Sequence, residues 1–151
     1  FKHHGVLAAL EFQKTFERAA WAMGGKTQTA PAQRLLDFTN GKLSDALPDC
    51  SYQPGLKSAD MQQLLGKLVG GALREGFKSF GGKMRGYLTN DAVIVGVESR
   101  TSTPVRIPRD KDLLHHPQLK NLFPCGEGAG YAGGIVSAAM DGERCADSLN
   151  Y

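Results

Sequence analysis

The 151-residue chain is short of most features that announce a function at once. It has one tryptophan and three cysteines, Cys50, Cys125 and Cys145. The number is odd, no C-x-x-C occurs and no spacing reads as a zinc site, so neither a disulfide framework nor a zinc module is expected. This usage fits a reducing, cytoplasmic setting. No apolar run approaches the roughly 20 residues of a membrane-spanning helix, and no signal-peptide pattern opens the chain. Membrane is therefore not an expected partner. The basic residues stand singly, as Lys14, Arg18, Lys26, Arg34 and Lys42 do. Without a run or an interleaved aromatic platform, nucleic acid is not an expected partner either. The adjacent pairs His3-His4 and His115-His116 do not face one site on a helix or strand, so no metal is expected. No Ser-His-Asp or Cys-His order can be read, and the catalytic residues stay unknown.

What is present suits one ordinary domain or a piece of one: 41% of the residues are hydrophobic, enough for a single core. The net charge of +3 is uneven. Residues 1–90 hold 12 Lys/Arg against 7 Asp/Glu, and residues 91–151 hold 6 against 8, which makes +5 and −2. A chain that opens on Phe1 and stops just after a helical run reads as a processed or excised segment.

Helical signals fill the first half. Phe12, Phe16, Ala19 and Met23 recur at helical spacing within residues 6–23, and Gly24-Gly25 supplies a stop. Pro31 in a first turn and Asn40-Gly41 at the end mark a shorter helix. A loop follows to Gly55. Ser58 then opens a third helix with Leu64, Leu65, Leu68 and Val69 on its apolar face, which Gly70-Gly71 should break in two. Beyond Thr89-Asn90-Asp91 the pattern changes: AVIVGVES reads as a buried strand, and residues 105–107 as a possible second one after Thr103-Pro104. Residues 122–125 read as a short strand, followed by a glycine turn and a last helix from Gly134 to Leu149.

That turn, within LFPCGEGAGYAGGIVSAAMDG, contains Gly128, Gly130 and Gly133 as G-x-G-x-x-G. The dinucleotide fingerprint, however, also requires a second strand and an acidic residue about 20 positions on, and the chain stops at Tyr151. A glycine turn feeding a helix leaves the helix's first amides unpaired, an arrangement that attracts negative charge. Glycines also remove the Cβ atoms that would keep a flat or anionic ligand away. The alternative is a tight turn packed against its neighbours. Cys125 just before the turn reads as a small buried hydrophobe rather than a redox thiol.

Three stretches, LFPCGEGAGYAGGIVSAAMDG, PAQRLLDF with the later SYQPG, and GVESRTSTPVRI, together resemble the C-terminal portion of a family of bacterial and plastid FAD-dependent dehydrogenases. That family is related to the aminoacetone-oxidase-like flavoproteins. The resemblance implies a hydride-transferring oxidoreductase with FAD as cofactor, NAD(P)H as a possible electron donor and a small-molecule substrate of unknown identity. It also implies an α/β fold, α+β when taken as a fragment, whose missing partner is the rest of the parent chain. Residues 1–90 would be the mainly helical part of an inserted substrate-side domain, 91–120 strands and connector, and 121–151 the strand, turn and helix completing a Rossmann-type FAD domain. Gly126, Glu127, Gly128, Ala129, Gly130, Gly133, Gly134 and Ile135 would lie against the flavin, and Arg100, Thr101, Ser102 and Arg106 on the substrate side. Taken alone, the chain would be inactive. The reading from a different class is a non-enzymatic α/β module whose turn holds a small anion or a partner.

Overall fold

The computed structural model describes residues 1–99 and 103–150. Among the described residues it is a mixed α/β structure with helices and one small three-stranded sheet. Two compact units divide the chain: Thr15–Glu98 form one, and Phe1–Lys14 together with the chain from Ser99 onward form the other. Helix α1 (Ala8–Met23) has residues in both.

The sheet belongs to the first unit. Strand β1 (Ala30–Arg34) lies between β2 (Leu56–Ser58), parallel to it, and β3 (Val93–Val95), antiparallel. Ala32 sits opposite Ser58 on one side and Val95 on the other. The expected helix with Pro31 in its first turn is therefore half wrong: residues 30–34 are a strand, and α2 (Leu35–Asn40) begins only after it. Two neighbouring strands satisfy the backbone of these residues on both edges, and such tertiary pairing overrides local preference. Proline is tolerated at this central position because a strand residue's N–H and C=O point to the same edge. The Pro31 carbonyl accepts from the Gly96 amide at 3.1 Å, just past the end of β3, so the missing N–H costs at most the terminal bond of the ladder. The end of α2 follows the sequence: Gly41 adopts φ 71°, the left-handed cap that glycine accommodates without cost.

Helix α3 (Met61–Lys83) starts later than Ser58, at an Asp60 cap whose carboxylate accepts from the Gln63 amide at 3.0 Å. Its backbone kinks at Gly66 (φ 71°, ψ 173°), not at Gly70-Gly71. Gly70 has a packing role instead. The Gln62 side chain folds back to donate to the Gly66 carbonyl and lies where a Cβ on residue 70 would be, 2.5 Å from its Nε2.

Ala20, Phe38, Met61 and Leu64 make the core, flanked by Ala19, Met23, Phe77, Ile94 and Val97. Two buried polar side chains stitch the loops to it. Gln33 accepts from the Met61 amide (2.9 Å) and donates to the Lys42 carbonyl (2.7 Å). Ser44 accepts from the Arg34 amide (2.9 Å) and donates to Asp37 (2.7 Å). No helix among the described residues is long and apolar enough to cross a membrane.

The second unit contains the last helix, α4 (Ile135–Asp147), which continues into a 3-10 turn at Ser148–Asn150. The strands expected at residues 122–125 and 105–107 do not form. The backbone groups there are engaged singly: His116 donates to the Leu122 carbonyl (2.7 Å), Arg109 to that of Pro124 (2.9 Å), and Ile107 to that of Ala129 (3.1 Å). Among the described residues no neighbouring strand supplies a ladder.

Candidate functional site

The glycine turn is built on one buried ion pair. Arg109 donates two parallel bonds to Asp141, Nη1 to Oδ2 and Nη2 to Oδ1, both 2.9 Å. The two side chains are 7% and 12% exposed. Asp141 projects from the second turn of α4, and its Oδ2 also accepts from the Gly126 amide at 2.9 Å. Arg109 reaches the Pro124 carbonyl and, at 3.3 Å, the Cys145 sulfur. One carboxylate thus ties the start of the turn to the helix that leaves it. The Arg109 hydrogen bonds hold the Asp141 carboxyl below the usual carboxylate range, against the burial that opposes this, and the Gly126 amide adds to the effect. Burial pushes the Cys145 thiol up, which makes it a packing residue and a poor nucleophile.

Tyr131 closes the turn. Its ring carries the Arg109 guanidinium at 3.7 Å and that of Arg106 at 4.1 Å from the centroid, and its hydroxyl donates to the Ile107 carbonyl at 2.8 Å. Its amide donates to the Gly126 carbonyl and that of Gly130 to Glu127, each at 3.0 Å.

These contacts divide the glycines into two kinds. Gly126 and Gly130 have φ of 67° and 85°, conformations L side chains avoid. A Cβ on Gly130 would also lie 2.9 Å from the Val105 carbonyl oxygen. Both, with the buried Ala129, shape the turn from inside. Gly128 and Gly133 are different: no atom lies within 4 Å of where a Cβ would stand, and at Gly134 only the Ser137 hydroxyl does, at 3.6 Å. Gly134 caps α4 with extended backbone and no side-chain bond, leaving the first-turn amides available. Ile135 and Val136 beside them are 92% and 71% exposed. The surface offered is thus backbone, uncapped amides and apolar side chains, with the half-buried Glu127 at its edge. This fits a flat, partly anionic ring system.

Of the substrate-side candidates, Arg106 is exposed and stacked on Tyr131. Arg100, Thr101 and Ser102 lie outside the described residues. Cys125, expected to be buried, is exposed, because Pro124 on one side and Gly126 on the other take the interior positions. Among the described residues no three His, Cys, Asp or Glu side chains gather as metal ligands. Sequence reasoning missed Arg109, Tyr131 and Asp141. Arg109 and Asp141 are 32 positions apart, and no local pattern links them.

Residues 1–101 match a family described as "FAD-dependent protein, C-terminal domain-like", more than half of the chain. The match ends before the glycine turn. An uncharacterized protein of Clostridium beijerinckii is 39% identical over 151 residues, an alignment that covers 99% of this chain and includes the turn. The chain spans 28% of that relative's length.

Proposed function

The chain belongs to the FAD-dependent protein, C-terminal domain-like family, and from this premise we infer that it is the C-terminal part of an FAD-dependent oxidoreductase whose glycine turn contacts the flavin. The observation that carries the reading is the open space at Gly128, Gly133 and Gly134, at the amino end of an uncapped helix of 13 residues. In this proposal Gly128, Gly133 and Gly134 admit the ring to the backbone, and Ile135 and Val136 cover apolar surface beside it. The uncapped α4 amides would hold an electron-rich edge of the bound ring, whose added negative charge a helix terminus stabilises. Glu127 would hold the ribityl chain. Gly126, Ala129 and Gly130 hold the turn in shape.

Bound flavin supplies the electron-pair chemistry, taking up or releasing a hydride equivalent. The chain's own contribution is orientation, exclusion of water by the apolar first turn, and a fixed positive potential from the helix. Arg106 presents a planar fork on the same turn, suited to an acidic group of the substrate. Kinship with the aminoacetone-oxidase-like flavoproteins is part of this proposal and rests on the LFPCGEGAGYAGGIVSAAMDG, PAQRLLDF with SYQPG, and GVESRTSTPVRI stretches.

The test is purification of the full-length protein carrying Gly134→Val. The backbone at residue 134 is extended (φ −165°), which a β-branched residue adopts readily, and the nearest atom leaves room, so the fold tolerates the change. The expected result is a folded protein with little or no visible flavin absorption. A yellow Gly134→Val protein with normal flavin content would remove the turn from the flavin site. A colourless wild-type protein would favour the non-enzymatic module.

A further inference from the structure

Residues of the 106–111 connector, Tyr131 and Arg144 of α4 line an open cavity of about 460 Å³. Its walls include Arg106, Arg109, Lys111 and Arg144, with Tyr131 between them and Asp110 as the one carboxylate among the described lining residues. The charges there do not cancel. Arg109 is neutralised by Asp141 behind it. None of Arg106, Lys111 and Arg144 forms an ion pair with a described carboxylate. Arg144 only feels Asp141 at longer range and bonds weakly, at 3.4 Å, to the Lys111 carbonyl. Asp110 is turned to local use: its Oδ1 accepts from the Asp112 and Leu113 amides, both at 2.9 Å, which keeps the group ionised. Three free cations against one carboxylate leave two positive charges around one concave space.

We propose that this cavity binds a phosphoryl dianion, with Arg106, Lys111 and Arg144 as its ligands. The Tyr131 stack holds Arg106 on one wall, and the long contact to the Lys111 carbonyl brings the Arg144 guanidinium beside the lysine on another. Placing like charges together costs energy that a bound anion recovers. The charge balance selects the ligand class. A phosphomonoester carries close to two negative charges at neutral pH, whereas a single carboxylate carries one. Guanidinium forks and an ammonium are also the usual partners of phosphate oxygens.

The site adjoins the glycine turn through Tyr131 and through Arg106, whose Cα is 3.2 Å from the position of a Cβ on Gly130. A ligand held here by its phosphate would extend along that turn. The inference goes beyond the flavin reading and does not need it, because phosphate binding is measured without reference to colour.

The experiment titrates inorganic phosphate into the full-length protein at low ionic strength, followed by calorimetry and by phosphorus NMR line width. Saturable binding is expected, weakening as salt rises. Arg144→Gln and Lys111→Gln should each weaken it about tenfold or more, as loss of a charge-assisted bond does. Lys78→Gln, which removes the same charge from an exposed pair with Glu75, should leave it unchanged. Two competitors separate the sources of the phosphate: 2′-AMP stands for the end of a phosphorylated nicotinamide dinucleotide, glycerol 3-phosphate for a small phosphorylated metabolite. Displacement by either supports the site and names its source. Absence of saturable phosphate binding, or binding that survives both Arg144→Gln and Lys111→Gln in proteins with unaltered melting curves, overturns it.

Discussion

Alanine at Gly130 and alanine at Gly128, two residues apart in one loop, should change stability in opposite directions. At residue 130 the backbone is left-handed (φ 85°), which costs an L residue about 1–2 kcal/mol. The new Cβ would stand 2.9 Å from the Val105 carbonyl oxygen and 3.2 Å from the Arg106 Cα. Both are backbone atoms, and they cannot retreat without breaking the 3.1 Å bond from Ile107 to the Ala129 carbonyl. Overpacking of this kind adds about 1–3 kcal/mol. The reduced entropy of the unfolded chain returns only about 0.4–1 kcal/mol. Gly130→Ala should therefore destabilise by about 2–4 kcal/mol. At Gly128 the φ is not left-handed and the space is empty, so only the entropic gain of about 0.4–1 kcal/mol remains. Denaturant unfolding of the full-length protein stripped of flavin measures both, since a bound ligand would itself add stability, and flavin absorbance per mole of protein is read on the samples as purified. Gly128→Ala should be at least as stable as the parent yet hold less flavin. Equal stability of the two variants would refute the packing argument, and a stable Gly128→Ala protein with full flavin content would refute the division of the glycines into shaping and ligand-facing.

Asp141→Asn should cost about 3–5 kcal/mol, because it leaves the Arg109 guanidinium buried without its counter-charge. The same pair predicts an acid limb. Since Arg109 lowers the Asp141 pKa in the folded state, the stabilisation is complete above the unfolded value of about 3.9 and is lost as pH falls through the lower folded value. Asp141→Asn should flatten that limb of the stability profile, and an unchanged slope in acid denaturation would count against the pairing. Phe38→Ala, which empties a fully buried aromatic site, should destabilise by about 3–5 kcal/mol in a urea melt, and a loss under 1 kcal/mol would show that the core is not where Phe38 lies. The 151-residue chain alone should bind FAD weakly or not at all, since the proposal places the phosphate-cradling fingerprint elsewhere in the parent; submicromolar, saturable quenching of flavin fluorescence would contradict this.

Periodicity and end signals were enough to find α1, the end of α2 and the whole of α4 with the glycine turn before it. Each depends on neighbours within one or two turns of chain: apolar residues three and four apart, Asn40-Gly41, glycines ahead of small residues. The mixed α/β class was legible for the same reason. Long-range pairing decided the rest. Residues 30–34 became a strand because β2 and β3 flank them, and α3 kinks at Gly66, where the backbone turns left-handed, while Gly70 makes room for the Gln62 side chain. Which glycines shape the turn and which stand open was invisible in the spacing, since G-x-G-x-x-G lists positions and not what faces them. Arg109, Asp141 and Tyr131, which hold the turn, and Lys111 and Arg144, which join Arg106 around a cavity, are separated along the chain by up to 38 positions. Charge attraction and stacking act over a few ångströms in space and leave no periodic trace in sequence, so only the folded chain could bring these side chains together.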